Sequence, residues 1–77
     1  MHYQYYNSNA LLVINSKGKI RILYTPFKAQ CIGNESGLRS GTYVYVDEIL
    51  SDAKDHLYYS INGQAYLHSC FVVRVLF

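Results

Sequence analysis

Apolar residues fall in short runs separated by polar clusters, and nowhere recur over a long window at the i, i+3, i+4, i+7 spacing of an amphipathic helix. The pattern predicts strands. Ala10-Leu11-Leu12-Val13-Ile14 is a continuous apolar run, and Asn15-Ser16-Lys17-Gly18 after it supplies turn chemistry, with Gly18 suited to a positive φ. Lys19 to Tyr24 alternates, so the two runs read as a hairpin. On that reading Ile20 and Ile22 face inward with Leu12, while Lys17, Lys19 and Arg21 share the opposite, solvated face. Pro26 has no N–H for a ladder, so it ends this strand or makes it an edge.

Phe27 to Ile32 reads as another extended piece, followed by a loop at Gly33-Asn34-Glu35-Ser36-Gly37 and a turn at Leu38-Arg39-Ser40-Gly41. Thr42 to Ile49 is the clearest strand, with Val44 and Val46 on one face and Tyr43 and Tyr45 on the other. Ser51 to Asp55 is a polar loop, and His56 to Ile61 a strand that puts Leu57, Tyr59 and Ile61 on a common face. Asn62-Gly63 is the strongest local signal, suiting a type I′ turn whose two central residues both need φ > 0. Gln64 to Leu67 returns as its partner strand, His68-Ser69-Cys70 reads as one 3₁₀ turn, and Phe71 to Phe77 as the last strand. Residues 1–9 read as a frayed arm or an added strand. The expectation is one all-β domain over 1–77, a small barrel of five to seven short antiparallel strands with an N-terminal extension or hairpin.

Composition narrows the class. At 77 residues the chain has room for one small core, and with 51% hydrophobic and 16% charged residues it is not a disordered tail. No apolar run approaches the ~18 residues of a membrane helix, so no membrane partner is expected. The start Met1-His2-Tyr3-Gln4-Tyr5-Tyr6 does not pair a basic segment with a long apolar one, so no export signal is read. A cytoplasmic setting follows, with Cys31 and Cys70 as reduced thiols.

From Leu23 onward the order of signals resembles the Src-homology-3 (SH3) family. Leu23-Tyr24-Thr25-Pro26-Phe27 stands where the family has Ala-Leu-Tyr-Asp-Tyr, and Gly37-Leu38-Arg39-Ser40-Gly41 where it has Glu-Leu-Ser-Phe-x-x-Gly-Asp. Val44-Tyr45-Val46 follows as the next strand does there, the Asn62-Gly63 hairpin is similar to the family's distal pair, and Leu67-His68-Ser69-Cys70-Phe71-Val72 resembles its closing Pro-Ser-Asn-Tyr-Val segment. The resemblance covers about residues 23–75 and implies an SH3-like barrel. It also implies an aromatic ligand surface made of Tyr24, Phe27, Tyr58, His68 and Phe71. The family's polyproline groove is not reproduced. There is no Trp (its place falls near His56, Leu57 or Tyr58), His68 replaces the Pro, Phe71 replaces the Tyr, and Glu35 is all that is left of the acidic loop.

The residues that bear chemistry are sparse. His68-x-Cys70 with Cys31 and His56 would supply two Cys and two His for zinc, but no Cys-x-x-Cys knuckle aims two thiolates at one ion. Cys70 or Cys31 with His68 or His56 as base would need an orienting group and an oxyanion hole in a pocket too large for this chain. Asp47 and Glu48 point to opposite faces of a strand, which does not make an acid–base pair. No enzyme and no cofactor are expected.

What remains is binding. Nine tyrosines exceed what so small a core can bury, so exposed aromatic area is expected. The first reading is a non-catalytic SH3-like module that binds a protein through that surface or an open sheet edge. Self-pairing through Val72 to Phe77 belongs to the same reading, and small phage accessory proteins that inhibit a host component are its fold-level analogue. The alternative is a nucleic-acid or nucleotide binder that uses Lys17, Lys19 and Arg21 with exposed tyrosines.

Overall fold

The computed structural model describes residues 2–33 and 37–77, and the regular elements among them are strands apart from one 3₁₀ turn. In chain order they are β1 (His2–Asn7), β2 (Ala10–Ile14), β3 (Ile20–Tyr24), β4 (Phe27–Cys31), β5 (Tyr43–Val46), β6 (Glu48–Ser51), β7 (Leu57–Ile61), β8 (Gln64–Leu67) and β9 (Phe71–Val72), with the 3₁₀ turn η1 (His68–Cys70) before the last. They form three antiparallel sheets, ordered β1-β2-β3, β5-β4-β9 and β6-β7-β8, none of which closes into a barrel. The all-β class is as expected. The strand count is higher than five to seven because residues 2–7 form a strand and one long run is broken in two.

That break is at Asp47. Thr42 to Ile49 reads as one strand, yet β5 pairs with β4 only as far as Val46. The Asp47 N–H then turns to the Ser60 carbonyl, and from Glu48 the chain pairs with β7. Val46 and Ile49 are three residues apart and both fully buried, which an unbroken strand of period two forbids; the bend resets the phase.

Phe71 to Phe77 also departs from expectation. Only Phe71 and Val72 pair, with Cys31 and Gln30. Beyond them the chain is a strap tied to the first sheet: the Tyr3 hydroxyl donates to the Val73 carbonyl at 3.2 Å, and Arg21 Nη1 to the Leu76 carbonyl at 2.9 Å. Val73 is buried by this crossing, and Val75 packs against the core.

All three sheets feed one core, with Leu11 and Val13 from the first, Phe27 and Val46 from the second, and Ile49 and Tyr59 from the third. Tyr59 is its largest fully buried side chain. Phe27 meets it edge-on at 5.7 Å and Phe71 lies tilted at 6.0 Å, each such pair adding about 0.5–1.5 kcal/mol beyond the area it buries. Burial pushes the Tyr59 hydroxyl pKa well above its ordinary value, and charge on Tyr3 would push it the same way.

The turns obey their local chemistry. Asn62 and Gly63 both have positive φ (52° and 79°), as a type I′ hairpin requires. Pro26 stands just past the end of β3, its bond to Thr25 being cis.

Candidate functional site

Phe27, His68 and Phe71, which the SH3 resemblance assigns to an aromatic surface, do come together, but around Tyr59. Phe27 and Phe71 are core residues, and the His68 ring stands 6.4 Å from that of Tyr59. Tyr3 of β1 covers His68 at 6.5 Å, and His68 Nδ1 lies 3.2 Å from the Leu57 carbonyl oxygen. One side chain of β1 therefore lies against His68, a residue that the resemblance assigns to the ligand surface. Tyr24 is 68% exposed on β3. Tyr58 is half-buried on β7, its hydroxyl donating to Asp52 at 3.3 Å. The five residues do not share one surface. Glu35, the remnant of the family's acidic loop, lies outside the described residues.

Lys17, Lys19 and Arg21 do not form a basic strand face. The backbone N–H groups of Lys17 and Lys19 donate to Asn15 Oδ1, each at 2.9 Å, so both residues belong to the β2–β3 turn. Only Arg21 is in a strand, and it stands opposite Val13.

That register inverts the expected faces of the hairpin. Cross-strand partners share a face, and Leu11 pairs with Leu23 and Val13 with Arg21 on the side that meets the core. Leu12 pairs with Ile22, Ile14 with Ile20 and Ala10 with Tyr24 on the other side. Ile20, Ile22 and Leu12, expected to point inward, point away from the core. On this outer face Ile20 is 61% exposed, while Leu12, Ile14 and Ile22 are half-buried. The sheet is thus apolar on both faces, and only one face packs on the core. β3 is also an edge, since its sheet order ends there.

An open cleft of about 420 Å³ separates β1 from the far end of β6 and the start of β7, lined by His2, Tyr3, Gln4, Tyr5, Ser51, Asp55 and Leu57. Its walls combine two tyrosines and Leu57 with polar side chains. Among the described residues no three His, Cys, Asp or Glu side chains gather where they could hold a metal ion. Cys31 and Cys70 form no disulfide; the Cys31 thiol is buried, facing the carbonyl oxygens of Gly33 and Leu38. His56, the remaining member of the zinc set weighed from the sequence, is on the β6–β7 loop with Nδ1 3.0 Å from Asp52 Oδ2. No helix among the described residues is long and apolar enough to cross a membrane.

The second sheet presents a different face. Lys28 pairs with Tyr45 and Gln30 with Tyr43 on its outer side, where Tyr43 and Tyr45 are 55% and 60% exposed. Sequence reasoning saw those two tyrosines on one face but missed the cations beside them, which come from β4 and from beyond β9. No protein-family model, curated protein or solved structure matches this chain.

Proposed function

We propose that this protein is a non-catalytic interaction module of SH3-like architecture, and that it binds a protein partner through the outer face and open β3 edge of the β1-β2-β3 sheet. Three features support the architecture. β4 pairs with both β5 and β9, the run from Tyr43 to Ser51 bends to serve two sheets, and a 3₁₀ turn returns the chain to β9. β1 to β3 are then a sheet added ahead of the barrel-like part.

The observation that carries the binding site is the second apolar face. A sheet apolar on both sides is ordinarily covered on both. Leu12, Ile14, Ile20 and Ile22 instead stand outside the core cluster, and of the residues on that face Ala10 is the fully buried one. Fully burying an aliphatic side chain of this size is worth ~1.5–3 kcal/mol, so covering a few of them supplies a substantial driving force. The adjoining edge gives register. An extended segment paired with Ile20–Tyr24 would add main-chain hydrogen bonds, and its alternate side chains would extend the row of Ile20, Ile22 and Tyr24. A second copy of the chain is one such partner; self-pairing through Val72 to Phe77 is less suited, because the Val73 and Leu76 carbonyls are already engaged.

The test is capture of a defined protein, or a dimer by light scattering, compared with Ile20→Lys and Ile22→Lys variants. Binding that survives nuclease and high salt and is lost in these variants supports the reading. Binding unchanged by both substitutions overturns it.

A further inference from the structure

Beyond protein binding, we propose that the outer face of the β5-β4-β9 sheet is a stacking platform for single-stranded nucleic acid, with Tyr43 and Tyr45 taking bases and Lys28 and Arg74 taking phosphates. Tyr43 and Tyr45 are alternate residues of an edge strand, so both rings stand on one face, ~6.8 Å apart along the chain. That is about twice the 3.4 Å rise per nucleotide in one strand of a duplex, so it suits two bases opened from their stack. Both rings are more than half exposed.

The cations are already placed. Lys28 Nζ sits 4.7 Å from the Tyr43 ring centroid, a cation–π contact that keeps the charge beside the ring. Arg74 Nη2 lies 3.5 Å from Gln30 Oε1, on the residue directly opposite Tyr43. Strands β4, β5 and β9 carry no Asp or Glu, so Lys28 and the adjoining Arg74 meet no acidic side chain from these strands, in a chain of net charge +2. Aromatic rings flanked by cations on an otherwise neutral sheet match a polyanion with π-faces better than they match an acidic peptide, which has charge but no bases to stack.

The experiment is a titration of isotope-labelled protein with octathymidylate at low salt, followed by amide shifts and tyrosine fluorescence, beside an equally charged polyglutamate. The expected result is saturable shifts centred on Lys28, Gln30, Tyr43, Tyr45 and Arg74, with quenched tyrosine emission. With two phosphates engaged, log K should fall with log salt at a slope of about −1.4. Tyr43→Leu with Tyr45→Leu should weaken binding at least tenfold, roughly, while the melting curve shows the fold intact. Lys28→Gln, which leaves both tyrosines, should flatten the slope. No saturable shifts, shifts centred on residues 17–21 instead, or polyglutamate binding as tightly as the oligonucleotide would each overturn the proposal.

Discussion

Asn15 and Asp52 hold the same position in two hairpin loops of the same geometry. Asn15 Oδ1 accepts the N–H groups of Lys17 and Lys19, and Asp52 Oδ1 accepts those of Lys54 and His56, all at 2.9 Å. In each loop the first residue's N–H donates to the carbonyl four residues on, and its own carbonyl accepts from the residue three on. That third residue has positive φ in both, Gly18 at 79° and Asp55 at 63°. One five-residue solution, an Asx turn followed by a left-handed residue, thus joins β2 to β3 and β6 to β7.

The two loops differ in charge, which gives a pH dependence to one of them. The His56 N–H holds the Asp52 carboxyl below the ordinary 3.8, with the His56 ring and the Lys54 N–H acting the same way against a desolvation cost. A carboxyl with a depressed folded pKa stabilises fully above its unfolded value and stops doing so as pH falls through the folded one. Asp52→Asn keeps the Oδ1 acceptor, as Asn15 shows, but does not titrate. The difference in melting temperature between wild type and Asp52→Asn is therefore expected to shrink from pH 5 toward pH 2 (about the carboxylate range). A difference that stays constant over that window would show that ionised Asp52 contributes nothing.

The left-handed residues make an opposed pair of substitutions. A Cβ at Gly18 would meet nothing within 4 Å, so Gly18→Ala is penalised by backbone conformation alone. It is expected to cost about 1 kcal/mol, or ~4–8 °C in melting temperature for a domain of this size. Asp55→Gly relieves the same strain and gives back unfolded-chain entropy, so stability is expected to hold within about 0.5 kcal/mol. Thermal melts at neutral pH decide both. A large loss at Asp55→Gly would mean that its carboxylate, not its backbone, matters.

The local chemistry of the chain was legible because it is short-range. Asn62-Gly63, the turn before Lys19 and the 3₁₀ turn at His68 follow from residues at hand. Alternation over Thr42 to Val46 also separated Tyr43 and Tyr45 from Val44 and Val46, and the structure shows the tyrosine side to be the exposed one. The faces of β2 and β3 were not legible. Ala10 to Ile14 is apolar at every position and Ile20 to Tyr24 nearly so, and period two carries no sign when both phases are apolar. Long-range packing decides it: Leu11 and Val13 join the core with the other two sheets, and the strap from Val73 is tied to Tyr3 and Arg21. The same long-range tie turned Phe71 to Phe77 from an expected last strand into a strap. Phe27 and Phe71 were assigned to the surface by resemblance, whereas burial around Tyr59 is what their positions give them.

Adjacent leucines separate the two faces experimentally. Leu11 is fully buried in the core, and Leu12, the next residue, is half-buried on the outer face. Leu11→Ala is expected to cost ~2–5 kcal/mol, which removes much of the stability of so small a domain. Leu12→Ala is expected to cost under about 1 kcal/mol, since little packing is lost at a partly exposed position. Urea unfolding at constant slope gives both numbers. Equal costs would mean that the outer face is packed as tightly as the core, and would remove the basis for a docking surface there.

The thiols report on opening of the core. Cys31 is 1% exposed in β4, the strand that pairs with both β5 and β9, so a reagent reaches it only when this sheet separates. Cys70 is half-buried in η1, beyond the end of β8, where a smaller motion suffices. Under a large excess of a neutral alkylating reagent at constant pH, labelling is expected in two phases, Cys70 first. The slow phase should accelerate with urea in step with global unfolding, and the fast phase should respond little. Cys70→Ser would leave only the slow phase, which assigns it to Cys31. If both thiols instead react together at a rate that tracks unfolding, η1 opens only with the core, and the closing segment is as stable as the sheets it joins.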